Sequence, residues 1–213
     1  MTLIPAIRGF SLGSRVKSLL TTVRNYTSQG IVMANVRRKC FISYHHADQE
    51  EVDKFVRTFD HERNIFISRG LGKEMSQDII ESSNTDYVMR RIRELYLSDS
   101  TVTIVMLGRC TWARRYVDWE LQSSLRNGAT ITANGLLGIK LPSYSNISGS
   151  YPDRLNLNLK QNDTQSDCYA RVLSYPNSSQ VLIDAIEAAY QRRSTHTKWI
   201  NNPRDFIKYN RQC

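Results

Sequence analysis

The chain of 213 residues is long enough for one ordinary domain with an appendage and hardly long enough for two. Its 40% hydrophobic and 23% charged residues exclude a disordered chain, and its 10 glycines and 5 prolines exclude a fibrous one; no run approaches the roughly 18 unbroken apolar residues of a membrane-spanning helix. The net charge of +9 is unevenly placed: residues 1–47 hold seven Lys or Arg and no acid, leaving 22 bases against all 20 acids from residue 48 onward, which removes most of the case for a nucleic-acid-binding surface.

Residues 1–32 carry Ser, Thr and Arg without acids, and a weak helical stripe through Ile7, Phe10, Val16 and Leu19. The composition resembles a transit peptide, and its apolar run is too interrupted for a secretion signal. Met33, running straight through Arg37, Arg38 and Lys39 into the first strand, reads as an ordinary protein start. The segment 1–32 is therefore expected to be an extension outside the fold, and the domain to span 33–213.

Lys39 to Tyr44 is a short buried strand, ended by His45-His46-Ala47-Asp48. Asp48 suits an N-cap, with Val52, Phe55, Val56 and Phe59 forming the apolar stripe of the helix that follows. Asn64 to Ser68 is a second strand, and Arg69 to about Thr85 a polar loop with glycines at 70 and 72, long enough to gate a site. Asp86 to Leu97 reads as an amphipathic helix. Thr101 to Leu107 is β-branched, apolar and closed by Gly108, as a central parallel strand is; it feeds a helix from Trp112 to Arg126. Leu136 to Leu141 is a fourth strand, Cys168 to Leu173 a fifth, and Gln180 to Arg192 a last helix. This alternation predicts a parallel, doubly wound α/β sheet. Cys40, Cys110, Cys168 and Cys213 lie far apart with no nearby His, so neither a disulfide framework nor a metal site is expected, and Cys213 reads as a free terminal thiol.

Ligands of open parallel sheets bind beyond the carboxyl ends of the strands. That rule nominates the segments after the first and third strands, 43–48 and 108–112. No glycine-rich phosphate loop and no hydrolase elbow is present. Trp112, Tyr116 and Glu120 recur at i, i+4 and i+8, placing Glu120 about 12 Å along one helix face from Trp112. On periodicity alone, Glu120 reads first as a solvated acid paired with Arg115 or Arg126 while the aromatics are core, and His45 and His46 as loop-end hydrogen-bonding residues.

The segments Phe41-Ile42-Ser43-Tyr44-His45-His46-x-Asp48, Ser100 through Val105-x-Leu107-Gly108, and Trp112-Ala113-Arg114-Arg115-Tyr116-Val117-Asp118-Trp119-Glu120-Leu121 resemble the TIR-like domain family, which includes the TIR-like subunit of bacterial Thoeris antiphage systems. The resemblance covers about residues 36–142. It implies a flavodoxin-like three-layer α/β sandwich with a central parallel sheet of order 2-1-3-4-5. It further implies cleavage of NAD+ at the nicotinamide–ribose bond by Glu120, with Tyr116-Val117 in the place of the aromatic–Val/Cys pair that precedes the family's glutamate. One departure is Arg114, where the family often has Ser.

Ser43, Tyr44, His45, His46, Trp112 and Tyr116 are then the expected substrate-facing residues, with no metal. No cofactor is held permanently, since NAD+ is the substrate; water attack yields ADP-ribose and internal attack a cyclic isomer. The implied setting is cytoplasmic antiphage defence, without membrane or nucleic-acid partners. There the subunit self-associates, responds to an infection-derived activator and signals to a separate effector. The rival expectation is a non-catalytic TIR-like module that binds other such domains. A phospho-acceptor receiver of the same fold fits less well, because no acidic pair follows the first strand.

Overall fold

Strand β3 (Val102–Leu107) is buried along its whole length and forms the middle of the sheet. The computed structural model describes residues 36–71, 77–144, 150–162, 167–205 and 207–213. The expected extension 1–32 and the start at Met33 lie outside the described residues, as do Gly72, Lys73 and Glu74 of the polar loop. Around β3 stand β1 (Lys39–Ser43), β2 (Ile67–Arg69), β4 (Gly135–Lys140) and β5 (Arg171–Leu173), in the order β2-β1-β3-β4-β5 with every pairing parallel. This is the flavodoxin-like α/β arrangement that the resemblance implies.

The helices are α1 (Gln49–Val56), widening into a π-type turn Arg57–Glu62; α2 (Gln77–Glu81); and α3 (Thr85–Ile92), widening through Arg93–Leu97. They continue with α4 (Arg115–Ser124), α5 (Asp153–Asn156) and α6 (Ser179–Thr195). Helix α3 is capped by Asn84, whose side chain accepts from Tyr87 N at 3.1 Å, and α6 by Ser178, which accepts from Val181 N. Strand periodicity divides the core into the two faces of a three-layer sandwich. Cys40, Ile42, Ile104 and Met106 pack under α1 and α6 with Phe55, Leu182 and Ile186. Phe41 packs on the opposite face with Val88, Ile92 and Trp119, and Val105 and Leu107 pack there with Val117, Leu121 and Leu155.

Several expected boundaries move for identifiable reasons. The second strand begins at Ile67 because Asn64 N and Ile65 N still bond back to Asp60 O and Phe59 O, and Asn64 takes a left-handed φ of 52°. Arg69 closes that strand, its guanidinium on Asp99, and is not part of a free loop. Gly70 follows at φ +80°, and a Cβ there would lie 2.2 Å from the Phe41 ring, so the turn needs glycine twice over. The expected loop to Thr85 contains α2. The fifth strand is shorter than expected, and the last helix reaches Thr195.

The fourth helix starts at Arg115, not Trp112. Thr111–Ala113 form a separate 3-10 turn, and Arg114 then takes an extended conformation (φ −99°, ψ 120°) that breaks the chain's path. The expected i, i+4, i+8 row therefore holds only for Tyr116 and Glu120.

The cysteine expectation is also corrected. Cys110 and Cys213 form a disulfide with Cα atoms 5.6 Å apart, while Cys40 and Cys168 are free and buried. The bond ends a C-terminal strap that runs back along α4. Gln122 Nε2 donates to the carbonyls of Pro203 and Arg204, Trp119 Nε1 to Ile207 O, and Arg115 N to Asn210 Oδ1, which caps the helix from outside. Beneath the strap, buried Asp118 takes a two-pronged contact from buried Arg154 (2.9 and 3.3 Å). The remaining Arg154 N–H groups bond Asn202 Oδ1, Pro203 O and Asp205 O. No helix among the described residues is long and apolar enough to cross a membrane.

Candidate active site

Alternation along β1 sets the site. Phe41 faces α3 and α4, so Ser43, two residues on, points the same way and is almost fully buried at the carboxyl end of the strand. There its hydroxyl donates to Glu120 Oε2 at 2.7 Å. Glu120 comes from the second turn of α4, which lies against β1 and β3. The residue keeps a little surface open to solvent, yet protein surrounds its carboxyl closely enough that burial raises the pKa to about 8, against the opposing influence of the Ser43 hydrogen bond. Among the described residues, neither Arg115 nor Arg126 pairs with it: Arg115 instead donates to the Tyr116 hydroxyl and to Lys208 O.

Tyr116 lies one turn before Glu120 and packs edge-on to Trp119 with ring centroids 5.6 Å apart, against the same cluster that holds Phe41. Trp112 sits on the 3-10 turn, and its indole N–H is buried without a hydrogen-bond partner among the described residues. His45 is half-buried and His46 exposed, their rings edge-to-face at 4.4 Å. Burial first, then the charges of Arg114 and His46, bring the His45 pKa down to about 4, so it is a neutral imidazole at pH 7. Tyr44 points away from this group. Its ring packs on the α1–α6 face and its hydroxyl donates to Gln49 Oε1 at 2.6 Å.

The turns after β1 and β3 are joined by a residue with a different role from the one its sequence position suggests. Asp48 makes no side-chain cap for α1. Its carboxylate instead lies over Gly108, where a Cβ would come within 2.2 Å of it, and Thr111 Oγ1 stands 3.4 Å away. Thr111 Oγ1 also accepts from Gly108 N at 2.9 Å. Glycine at 108 is what allows the two turns to close. Asp48 and Thr111, from the two nominated segments, and Arg114 thus join the site neighbourhood, although none of them is among the expected substrate-facing residues. The available signal was their position in or beside the two nominated segments, together with the departure at Arg114.

Among the described residues no group of three or more His, Cys, Asp or Glu side chains is placed to hold a metal ion. The arrangement offers one desolvated carboxyl, a hydroxyl bonded to it, an aromatic neighbour on the same helix face and a buried N–H donor on the 3-10 turn that precedes that helix. The family described as Thoeris protein ThsB, TIR-like domain, matches residues 41–146, a span running from β1 through β4 and including Ser43 and Glu120. The chain belongs to this TIR-like family. Membership gives the ThsB-type domain a Thoeris-related antiphage role. No curated protein matches the chain.

Proposed function

We propose that this TIR-like domain cleaves NAD+ at the nicotinamide–ribose bond, with Glu120 as the catalytic carboxylate. The observation that carries the reading is the Ser43–Glu120 pair at the carboxyl end of the sheet, 2.7 Å apart, with a carboxyl desolvated far beyond an ordinary helix acid. A surface carboxylate used only for association has no reason to be held this way.

The chemistry needs few groups. Nicotinamide departs from a pyridinium as a neutral molecule, so no acid is required to protonate it, unlike the paired carboxylates of ordinary glycosidases. A substrate bearing positive charge favours ionisation of Glu120 on binding, because a nearby cation lowers a carboxyl pKa. The carboxylate then stabilises the oxocarbenium-like charge that develops at the ribose. Ser43 fixes which oxygen of Glu120 faces the sugar, Tyr116 shields the flank from water, and the Trp112 indole N–H is free to donate to a substrate oxygen. Water or an internal nucleophile completes the reaction, giving ADP-ribose or a cyclic isomer. That product carries an infection signal through the cytoplasm to a separate effector.

The test is incubation of the purified protein with NAD+, alone and with lysate of phage-infected cells, followed by chromatography. Release of nicotinamide with an equivalent of an ADP-ribose species supports the reading. Intact NAD+ under every condition overturns it in favour of a non-catalytic interaction module.

A further inference from the structure

Arg114 occupies the break between the Thr111–Ala113 turn and α4, beyond the carboxyl end of β3. Its Nε donates to the Cys110 carbonyl at 3.2 Å, which fixes the guanidinium at one nitrogen. Among the described residues its two terminal nitrogens donate no hydrogen bond. Other half-buried arginines are used differently: Arg37 and Arg38 meet the carboxylates of Asp60 and Glu187, and Arg93 meets the carbonyls of Ser123 and Thr132. The anchor is itself held in place. Cys110 is tied to Cys213, and its carbonyl also accepts from Ala113 N.

The surroundings point to an anion. The Arg114 backbone N–H bonds Thr111 O, and Thr111 Oγ1 in turn reaches Asp48 in the turn after β1, so Arg114 stands where the two site turns meet, and its charge acts on His45 and Asp48 there. The Glu120 carboxyl is engaged by the Ser43 hydroxyl, and among the described residues it makes no ion pair with Arg114. Asp48, the acid on this side, is occupied with Thr111 and pressed against Gly108. Two parallel guanidinium N–H groups held by a third nitrogen form the fork that matches a phosphate. In a dinucleotide the diphosphate lies one ribose away from the glycosidic bond.

We propose that Arg114 binds the diphosphate of the substrate and so selects the intact dinucleotide over a nicotinamide nucleoside. This rests on the NAD+-cleaving reading, and the experiment separates the two. Steady-state kinetics of wild type, Arg114→Gln and Arg114→Lys are measured with NAD+ and with nicotinamide riboside, which has the same scissile bond and no diphosphate. Equilibrium binding of ADP-ribose is measured on the Glu120→Gln protein with and without Arg114→Gln.

Loss of a charge-assisted contact predicts a KM for NAD+ raised about 10- to 100-fold by Arg114→Gln, with kcat little changed and riboside kinetics unaffected. The Lys variant recovers part of the loss, and ADP-ribose binding weakens by a similar factor. Unchanged KM and ADP-ribose affinity overturn the proposal, as does an equal loss with both substrates. Arg114-dependent binding of ADP-ribose by a protein that cleaves neither substrate would sustain Arg114 as the anion ligand and remove the cleavage reading. No ADP-ribose binding by the parent protein removes Arg114 whatever the cleavage result.

Discussion

Replacing Glu120 by Gln changes the pH dependence of stability in a direction and size that follow from the site. The pKa of Glu120 is raised to about 8 in the folded protein, from an ordinary 4.5. The native state therefore binds a proton that the unfolded chain releases as pH rises above 4.5. Stability contributed by the neutral carboxyl is fully present below that value and is lost as pH rises through about 8. Each unit of difference corresponds to about 1.4 kcal/mol, so complete expression of the shift is worth roughly 5 kcal/mol. Glu120 keeps some surface open to solvent, and water at that edge relieves part of the desolvation, which brings the expectation to roughly 2–3 kcal/mol. Gln has nearly the same shape, can still accept the Ser43 hydrogen bond and does not titrate. The assay is urea unfolding of both proteins at pH 5, 6.5, 8 and 9. The stability of Glu120→Gln relative to wild type is predicted to rise across this range by that amount. A difference that stays constant from pH 5 to pH 9 refutes the reasoning, because it means that Glu120 titrates alike in the folded and unfolded chains.

Asp118→Asn leaves Arg154 buried with its charge uncompensated, and the expected loss is about 3–5 kcal/mol, read by urea unfolding at pH 7; a loss under 1 kcal/mol would show that the strap is not held by this pair. Cys213→Ser opens a covalent loop of sequence separation 103, so in oxidising buffer it is expected to cost roughly 2–5 kcal/mol and in reductant nothing. Alkylation of the denatured, unreduced wild-type chain is expected to modify two of its four cysteines, and modification of all four would contradict the bond.

What was legible in the sequence was what local pattern determines. Thr101 to Leu107 announced β3 because a strand covered on both faces is apolar throughout, and Val52, Phe55 and Val56 announced α1 because one face of a helix repeats every three or four residues. The pairing of Ser43 with Glu120 is not legible: Ser43 stands in a nominated segment and Glu120 on the helix beyond the other, and a separation of 77 residues hides a contact that only the sheet order creates. Helical spacing places Trp112 on the helix because it cannot report that Thr111 bonds back to Gly108 and Met106 and that the chain extends at Arg114. Adjacency groups Tyr44 with Ser43, although alternation along a strand sends neighbours to opposite faces. The strap and the Cys110–Cys213 bond left no signature, since contacts made across 80 to 103 residues follow no period.

The proposed cleavage turns on the Glu120 carboxylate. The most direct test is nicotinamide release from NAD+ by wild type and Glu120→Gln, each confirmed folded by far-UV circular dichroism and assayed at pH 8.5 under the condition in which wild type is most active. Wild type is expected to release nicotinamide and the variant to lose at least 100-fold, on the scale of removing a group that stabilises transition-state charge. Release by Glu120→Gln at the wild-type rate would contradict that expectation.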